Sequence, residues 1–319
     1  MSGNDKVVSK LSQHNMVQVA KFIWMDGKFV RWKDAKVHIS THALHYGSAA
    51  FEGIRCYEAN DKITIFRLND HINRLFYSAN ALGMKIGFTK IQIKEAIIKT
   101  IRLNKMKNAY IRPISYYGQG SIRVYPKKVP VNLSIIIFPD YDRDNDGLKV
   151  MTSKFLRYPE KSAIFGAKIS GNYVNSIMAM QEARKKGYDE ALMLDIDGFV
   201  SEGPAENLFL IKNGSLLTPN SRSALHGITR DTIMRLAKDI DINVYEEKIS
   251  LAELYDADEL FLCGTGKEIS SIFSVEGKKI GNGKIGEITL KLKKMYFDAV
   301  TGKDKKYMKW LTFVEEQEL

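Results

Sequence analysis

A chain of 319 residues, 45% hydrophobic and with only seven prolines, has material for a sizeable core, which excludes an intrinsically disordered polypeptide. Its 48 lysines and arginines against 37 acids give a net charge of +11, but the basic residues are scattered, as in "KKVP", "RKKG" and "KLKKM". The excess reads as a solvated surface, not as a nucleic-acid-binding stripe. Two cysteines far apart exclude a disulfide framework, and no apolar run approaches the ~18 residues of a membrane helix. Residues 1–20 hold no signal-peptide core, so a cytoplasmic protein with reduced thiols is expected.

In chain order, the first elements are strands. "KFIWM" and "KFVRW" flank Asp26-Gly27, a pair that tolerates the positive φ angles of a type I′ turn, so residues 21–32 are expected to form a hairpin. "IRCYEA" and "ITIFRL" around "NDK" form a second. Ile72, Leu75, Phe76 and Ala79 recur at helical spacing and predict a helix from about Asp70 to Leu82; Ile93, Ile97 and Ile101 predict another from about Lys90 to Leu103. "AYIRPISYYG" and "VNLSIIIFP" return to strand.

Residues 140–147, "DYDRDNDG", are polar and without periodicity, and the strand "LKVMTSKF" follows, which places a domain boundary there. The expected organisation is an N-terminal tail (1–20), a smaller domain (21–139), a connecting loop (140–147) and a larger domain (148–319). Asp142, Asp144, Asp146 and Gly147 imitate the start of an EF-hand loop, but Ser153 stands at its twelfth position, where a bidentate Glu is required, so no calcium site is expected. Beyond the boundary come a helix from about Asn172 to Lys186, stopped by Gly187, then strands "EALMLDI", "ENLFLI" and "SLLTP" with turns at Asp197-Gly198 and Asn213-Gly214. A helix from about Arg230 to Asp239 and the strand "ELFLCG" complete the series. Repeated Asx-Gly hairpins with helices between them imply an α+β protein, two mixed domains with mostly antiparallel sheets.

Within "SAIFGAKISGNY" (162–173), Lys168 is the single charge, among Gly166, Ala167, Ile169 and Gly171, with a helix opening just after. Apolar surroundings and the positive end of that helix favour the uncharged amine, the form that attacks a carbonyl. The alternative is a packed stem whose head reaches water. "LHGITRD" (225–231) opens a helix at Thr229, where free N–H groups, the helix dipole and a hydroxyl make an anion site. "CGTGKE" (263–268) ends a strand in a glycine-flanked Thr265, a second place where backbone can approach an anion. Singly these are also a cap and a turn; beside an isolated lysine they describe a phosphate cup and an amine anchor. Glu202, in "VSEGPAENLF", stands between a turn and an apolar strand, four residues before Glu206; either is alternatively a structural acid closing the loop. In "AYIRP" the period of two puts Tyr110 and Arg112 on one face, a hydroxyl and a guanidinium able to clamp a carboxylate, and Arg55 and Tyr57 in "FEGIRCY" repeat the pattern. A surface cross-strand pair is the alternative for both. His38, His42 and His45 have no acidic or cysteine companion, so no metal site is expected.

Taken together, "HALHYGSAAFEGIRCY", "AYIRP", "AKISGNY", "SEGPAENLF", "SALHGITRD" and "CGTGKEI" resemble, in the same order, the motifs of the branched-chain amino acid aminotransferases. These belong to the class IV, D-amino acid aminotransferase-like family of pyridoxal 5'-phosphate (PLP) enzymes, fold type IV. The resemblance runs from about Phe22 to beyond Ile269. It implies PLP as cofactor, carried by Lys168, which also shuttles the proton, with Glu202 at the pyridine nitrogen and Tyr173 near the 3′ oxygen. It implies Arg74, Leu225, Ile228, Thr229 and Thr265 as further cofactor contacts, most of them at the phosphate. For substrate it implies Tyr110 and the N–H groups of Thr265 and Gly266 at the α-carboxylate, Arg112 at the side-chain carboxylate of glutamate, and Phe51, Tyr46, Arg55 and Tyr141 around the rest of the pocket.

The implied reaction moves the amino group of L-leucine, L-isoleucine or L-valine to 2-oxoglutarate, giving branched-chain 2-oxo acids and L-glutamate. The implied assembly is a homo-oligomer, at least a dimer, with a partner loop closing each site and no nucleic acid or membrane involved. Alternatives are another class IV PLP enzyme, such as a D-amino acid or amine transaminase or an aminodeoxychorismate lyase, or a basic nucleic-acid-binding protein on a degenerate enzyme fold. Gly266-Lys267, His226 and Arg123 stand where the family commonly has a small pair, a proline and a glycine, departures that bear on substrate range.

Overall fold

Asp26 and Gly27 both take positive φ, 46° and 91°, and their turn joins β1 (Phe22–Met25) to β2 (Lys28–Arg31). A computed structural model of the chain describes residues 20–59, 62–140, 147–164 and 166–314. The expectations for the tail, the acidic run 142–146 and Tyr141 fall outside these residues. The hairpin is the edge of an antiparallel sheet that also contains β3 (Ala49–Phe51), β4 (Ile54–Ala59), β5 (Lys62–Phe66), β6 (Ala109–Tyr117), β7 (Val131–Pro139) and β17 (Leu311–Val314). The order is β17-β5-β4-β6-β7-β1-β2, with β3 paired to β6.

One face of this sheet is covered by α2 (Leu68–Ala81) and α3 (Lys90–Asn104), which follow the short α1 (His42–Tyr46) in the chain. The helical spacing explains the packing: Leu68, Ile72 and Leu75 of α2 and Ile93, Ile97 and Ile101 of α3 are buried with Ile54, Ile65, Ile111 and Ile135 of the strands. α3 starts at the predicted Lys90, and the structure adds a Thr89/Gln92 capping box just before it. α2 starts two residues before the expected Asp70, because Arg67 takes a left-handed conformation (φ 48°) and its guanidinium returns to Asp70 at 2.6 Å.

The second sheet comprises β8 (Leu148–Thr152), β9 (Glu190–Leu194), β10 (Val200–Glu202), β11 (Asn207–Lys212), β12 (Ser215–Pro219), β13 (Val244–Glu247), β14 (Glu259–Gly264), β15 (Glu268–Val275) and β16 (Lys278–Lys279). Its order is β10-β9-β8-β15-β14-β11-β12-β13, with β16 on β15. Most pairs are antiparallel, but β8–β9, β8–β15 and β12–β13 are parallel. The cause is connection length: α4 (Tyr173–Lys185) intervenes between β8 and β9, and α5 (Ile228–Lys238) between β12 and β13, and a parallel pair needs such a crossover. The short α6 (Leu251–Tyr255) and the longer α7 (Glu287–Val300) follow.

An apolar cluster joins the two halves, with Tyr57 and Phe66 of the first sheet packed among Phe209 and Phe261 of the second, Leu236 of α5 and Tyr296 of α7. After α7 the chain crosses back, and β17 pairs with β5 from Leu311–Phe66 to Val314–Ile63, so the expected unit 148–319 does not keep its last strand to itself. Leu75 is fully buried beside the cavity-facing Arg74 on α2. Leu75→Ala is expected to lower stability by about 2–5 kcal/mol, read as a fall in the urea midpoint at unchanged slope.

Candidate active site

Lys168 is fixed by its main chain before its side chain makes any contact. Its N–H donates to Ser78 Oγ of α2 at 2.8 Å, and its carbonyl accepts from Phe51 N of β3 at 3.1 Å. Ala50 and Ile169 form a bridge, and Gly171 N donates to Gly47 O at 3.0 Å. The chains touch so closely there that a Cβ on Gly47 would stand 2.7 Å from Gly171 Cα. The Lys168 side chain is thereby aimed into a cavity of about 440 Å³ between the sheets. Its Nζ is 2.6 Å from the Tyr173 hydroxyl, and lies 4.8 Å and 5.0 Å from the ring centroids of Phe51 and Tyr173.

One end of the cavity is built for an anion. α5 starts at Ile228 with no side chain capping it, so the first-turn N–H groups of Ile228 and Thr229, which line the cavity, are left to a ligand. Gly227 before it has no room for a side chain, since a Cβ would come 2.0 Å from Asn207 Oδ1. Arg74 lies on the same wall, its Nε and Nη2 held by Glu52 at 2.6 and 2.9 Å and its Nη1 by His226 O at 3.2 Å. Glu52 is completely buried and also bonded to His71 Nδ1 at 2.8 Å. Burial works to raise the Glu52 carboxyl, but Arg74 and His71 outweigh it and hold the group well below the usual carboxylate range. Burial lowers His71, which leaves a neutral ring as donor to Glu52. Neither residue was a candidate from the sequence, although Glu52 is a lone charge in the apolar run "SAAFEGI".

A smaller cavity of about 50 Å³, which shares Lys168, Tyr173 and Leu225 with the first, is bordered by Glu202 and Arg157. Glu202 Oε1 pairs with Arg157 Nη2 at 2.7 Å, while Oε2 accepts from Leu225 N at 3.0 Å and Asn207 Nδ2 at 3.3 Å. Burial raises this carboxyl, and Arg157 with the Leu225 N–H oppose the rise. Arg157 is in turn held by Ser176 Oγ at 3.0 Å. It lies in irregular chain, where no periodicity could have marked it.

Along the side wall Tyr110 and Arg112 stand on one face of β6, as their spacing predicts, with Arg112 Nη2 donating to Tyr110 OH at 2.9 Å. The guanidinium lies 4.6 Å from the Phe51 ring centroid, and its buried Nε has no protein partner. Thr265 and Gly266 complete the wall from the loop after β14. Two candidates are placed elsewhere. Arg55 does not line the cavity; it donates to Gly266 O at 2.5 Å and pairs with Asp140 at 3.0 Å, because β4 turns that face toward the β14–β15 loop. Tyr46 is 43% exposed and donates to Ile122 O at 2.6 Å, outside the cavity. Glu206 lines the cavity beside Lys267. The three histidines serve local structure: His42 is buried between Ser48 Oγ and Arg123 O, His45 bonds Ile39 O and His38 bonds Ser40. Among the described residues no group of three or more His, Cys, Asp or Glu is placed to hold a metal ion.

An amine and an uncapped helix end thus border one cavity, and the same amine borders a smaller one beside a buried acid. The family model for amino-transferase class IV matches residues 49–275, and the chain belongs to that family. It is 42% identical over 298 residues to the branched-chain-amino-acid aminotransferase of Pseudomonas aeruginosa, covering 92% of this chain and 97% of that one. The crystal structure of the Escherichia coli branched-chain amino acid aminotransferase superposes with a TM-score of 0.90 at 39% identity, over 93% of this chain and 100% of that one. The branched-chain amino acid aminotransferase of Thermobaculum terrenum, solved in its PLP form, superposes with a TM-score of 0.89 at 34% identity, over 93% and 99% of the two chains.

Because the folded-state pKa of Glu52 lies below its unfolded value, the stability it contributes is complete above the ordinary Glu range and is lost as pH falls through the folded value. Glu52→Gln is therefore expected to cost about 3–5 kcal/mol at pH 7, the cost of breaking a buried pair, with the gap to wild type narrowing below about pH 4. Urea titrations of both proteins from pH 7 to pH 3.5 test this, and a gap independent of pH contradicts it.

Proposed function

We propose that the protein is a PLP-dependent branched-chain-amino-acid transaminase, exchanging the amino group of leucine, isoleucine or valine with 2-oxoglutarate. The observation that carries this reading is Lys168 Nζ against Tyr173 OH, bordering both a cavity with an uncapped helix N-terminus and a smaller one with the Arg157-bound Glu202. The residues fit the cofactor: an amine to join its aldehyde, unspent N–H groups for its phosphate, and a buried carboxylate for its ring nitrogen. When bound, PLP supplies the carbonyl that takes up the amine and the conjugated ring that accepts the electrons left by the α-proton.

Lys168 takes the α-proton of the substrate and returns it, with Tyr173 orienting the amine. Arg74 and the N–H groups of Ile228 and Thr229 hold the phosphate, with Leu225 and Thr265 beside the cofactor. Glu202 holds a proton at the ring nitrogen, and a cation there adds to Arg157 against the burial that raises the carboxyl. Tyr110 with the N–H groups of Thr265 and Gly266 orients the α-carboxylate. Arg112, stacked near Phe51, receives the second carboxylate of glutamate, while the aromatic wall suits an aliphatic side chain.

A homodimer at least, in the cytoplasm, completes the reading. Ile122, Val124 and Tyr125 are well exposed on a loop fastened to α1 by His42 and Tyr46, and a second copy would cover them. The segment 140–147 then divides a smaller domain from a larger one that carries Lys168. Cys56 and Cys263 are both free and buried. No described helix is long and apolar enough to cross a membrane.

Purified wild type is expected to be yellow and to convert L-leucine with 2-oxoglutarate, and Lys168→Ala to lose the visible band and at least ~10³-fold of the turnover. Arg112→Ala should raise the KM for 2-oxoglutarate by about tenfold or more and that for L-leucine much less. A wild type that leaves L-leucine untouched and transaminates D-alanine contradicts the specificity assigned.

A further inference from the structure

The segment Gly264–Glu268 crosses from β14 to β15 with two glycines in five residues, and Glu268 begins β15 in a left-handed conformation (φ 57°). Nothing lies within 4 Å of where a Gly266 Cβ would stand, so the loop is open on that side and does not owe its position to packing there. It is anchored by charge from both sheets. From the first sheet Arg55 donates to Gly266 O, and Tyr57 OH donates to Glu268 Oε1 at 2.8 Å. From within the second, Lys267 Nζ bonds Glu190 Oε2, the first residue of β9, and lies 3.7 Å from Glu206 Oε1, just before β11.

Glu190 and Glu206 have side chains only 3% and 9% exposed, and Lys267 is itself largely covered. A lysine in a loop beside a cavity ordinarily turns its head to water; turning it inward desolvates three charges and is tolerated only when they satisfy one another. Burial opposes a charged Lys267, and the two carboxylates more than restore it. The loop's last residue before β15 is thus tied to both sides of the sheet, across β14 to the β11 side and across β15 and β8 to β9.

We propose that Lys267 is a positioning residue: by binding Glu190 and Glu206 it fixes the loop so that the N–H groups of Thr265 and Gly266 are held ready for the substrate's α-carboxylate. This rests on the assignment of those N–H groups made above. The staple removes the need to order the loop on binding, so its loss weakens ground-state and transition-state binding alike and appears in KM.

The test uses the cofactor-loaded enzyme and 4-methylpentanoate, a carboxylate with leucine's side chain and no amine, whose Kd is read by calorimetry without turnover. Lys267→Met is expected to keep the visible band and a kcat within about threefold, while KM for L-leucine and the Kd for 4-methylpentanoate rise about tenfold. Lys267→Arg, whose fork reaches both acids, should stay within about threefold of wild type. The double variant Lys267→Met/Glu190→Gln relieves the crowding of two unpaired acids but restores no staple, so its Kd should remain raised. Unchanged Kd in Lys267→Met, or recovery in the double variant, overturns the proposal; if Lys267→Met does not fold, the double variant decides alone. A colourless wild type that binds no carboxylate sinks the active-site reading and this one together, whereas a wild type that binds and a Lys267→Met equal to it sinks only this one.

Discussion

A side chain can be aimed across the gap between two sheets only if its own main chain is fixed to the far side. Lys168 meets that condition: it belongs to the segment leading into α4, yet its N–H is held by Ser78 of α2 and its carbonyl by Phe51 of β3. Phe51 supplies the ring that both Lys168 and Arg112 face, and Tyr173 stands at the start of α4, beyond the short turn that follows the lysine. Shift that lacing and the amine, the aromatic wall and the guanidinium lose their common reference. Gly47 and Gly171 set how near the two chains come, since neither has a Cβ to keep them apart.

The electrostatics follow one pattern. Each acid near the cavity is bound by a base from another element: Glu52 by Arg74 of α2, Glu202 by Arg157, Asp140 by Arg55 of β4. Buried pairs of this kind contribute little net stability, because desolvation offsets most of the attraction, but removing one member leaves a charge stranded. What they provide is fixed orientation. A guanidinium that already has two donors engaged cannot swing, so a ligand meets dipoles that need no rearrangement.

Features set by neighbours in sequence were legible before the structure. The Asx-Gly hairpins and the faces of α2 and α3 depend on a few adjacent residues, and Lys168 stands out as a charge among small apolar ones. Glu52 carries the same signal, but its meaning lies in Arg74 and His71, a strand and a helix away. The period of two correctly put Arg55 and Tyr57 on one face of β4, where both reach Glu268; it could not say that this face looks at a loop and not at the cavity. Tyr46 was grouped with the pocket by resemblance, whereas within one chain its hydroxyl is spent on Ile122 O. The parallel pairings of the second sheet were missed because strand direction depends on which helices cross over.

The return of β17 to the first sheet has a consequence for how the molecule is made. β5 is synthesised early, but the strand that covers its edge emerges only after the whole second sheet and α7. Until then the first sheet presents an unpaired row of N–H and C=O groups, the feature that invites pairing with another chain. Val314 closes over Ile63 at the very end of that sequence of events. The edge of the first sheet is therefore completed only after the whole second sheet has been made, although the cavity between the sheets is lined by residues no later than Lys267.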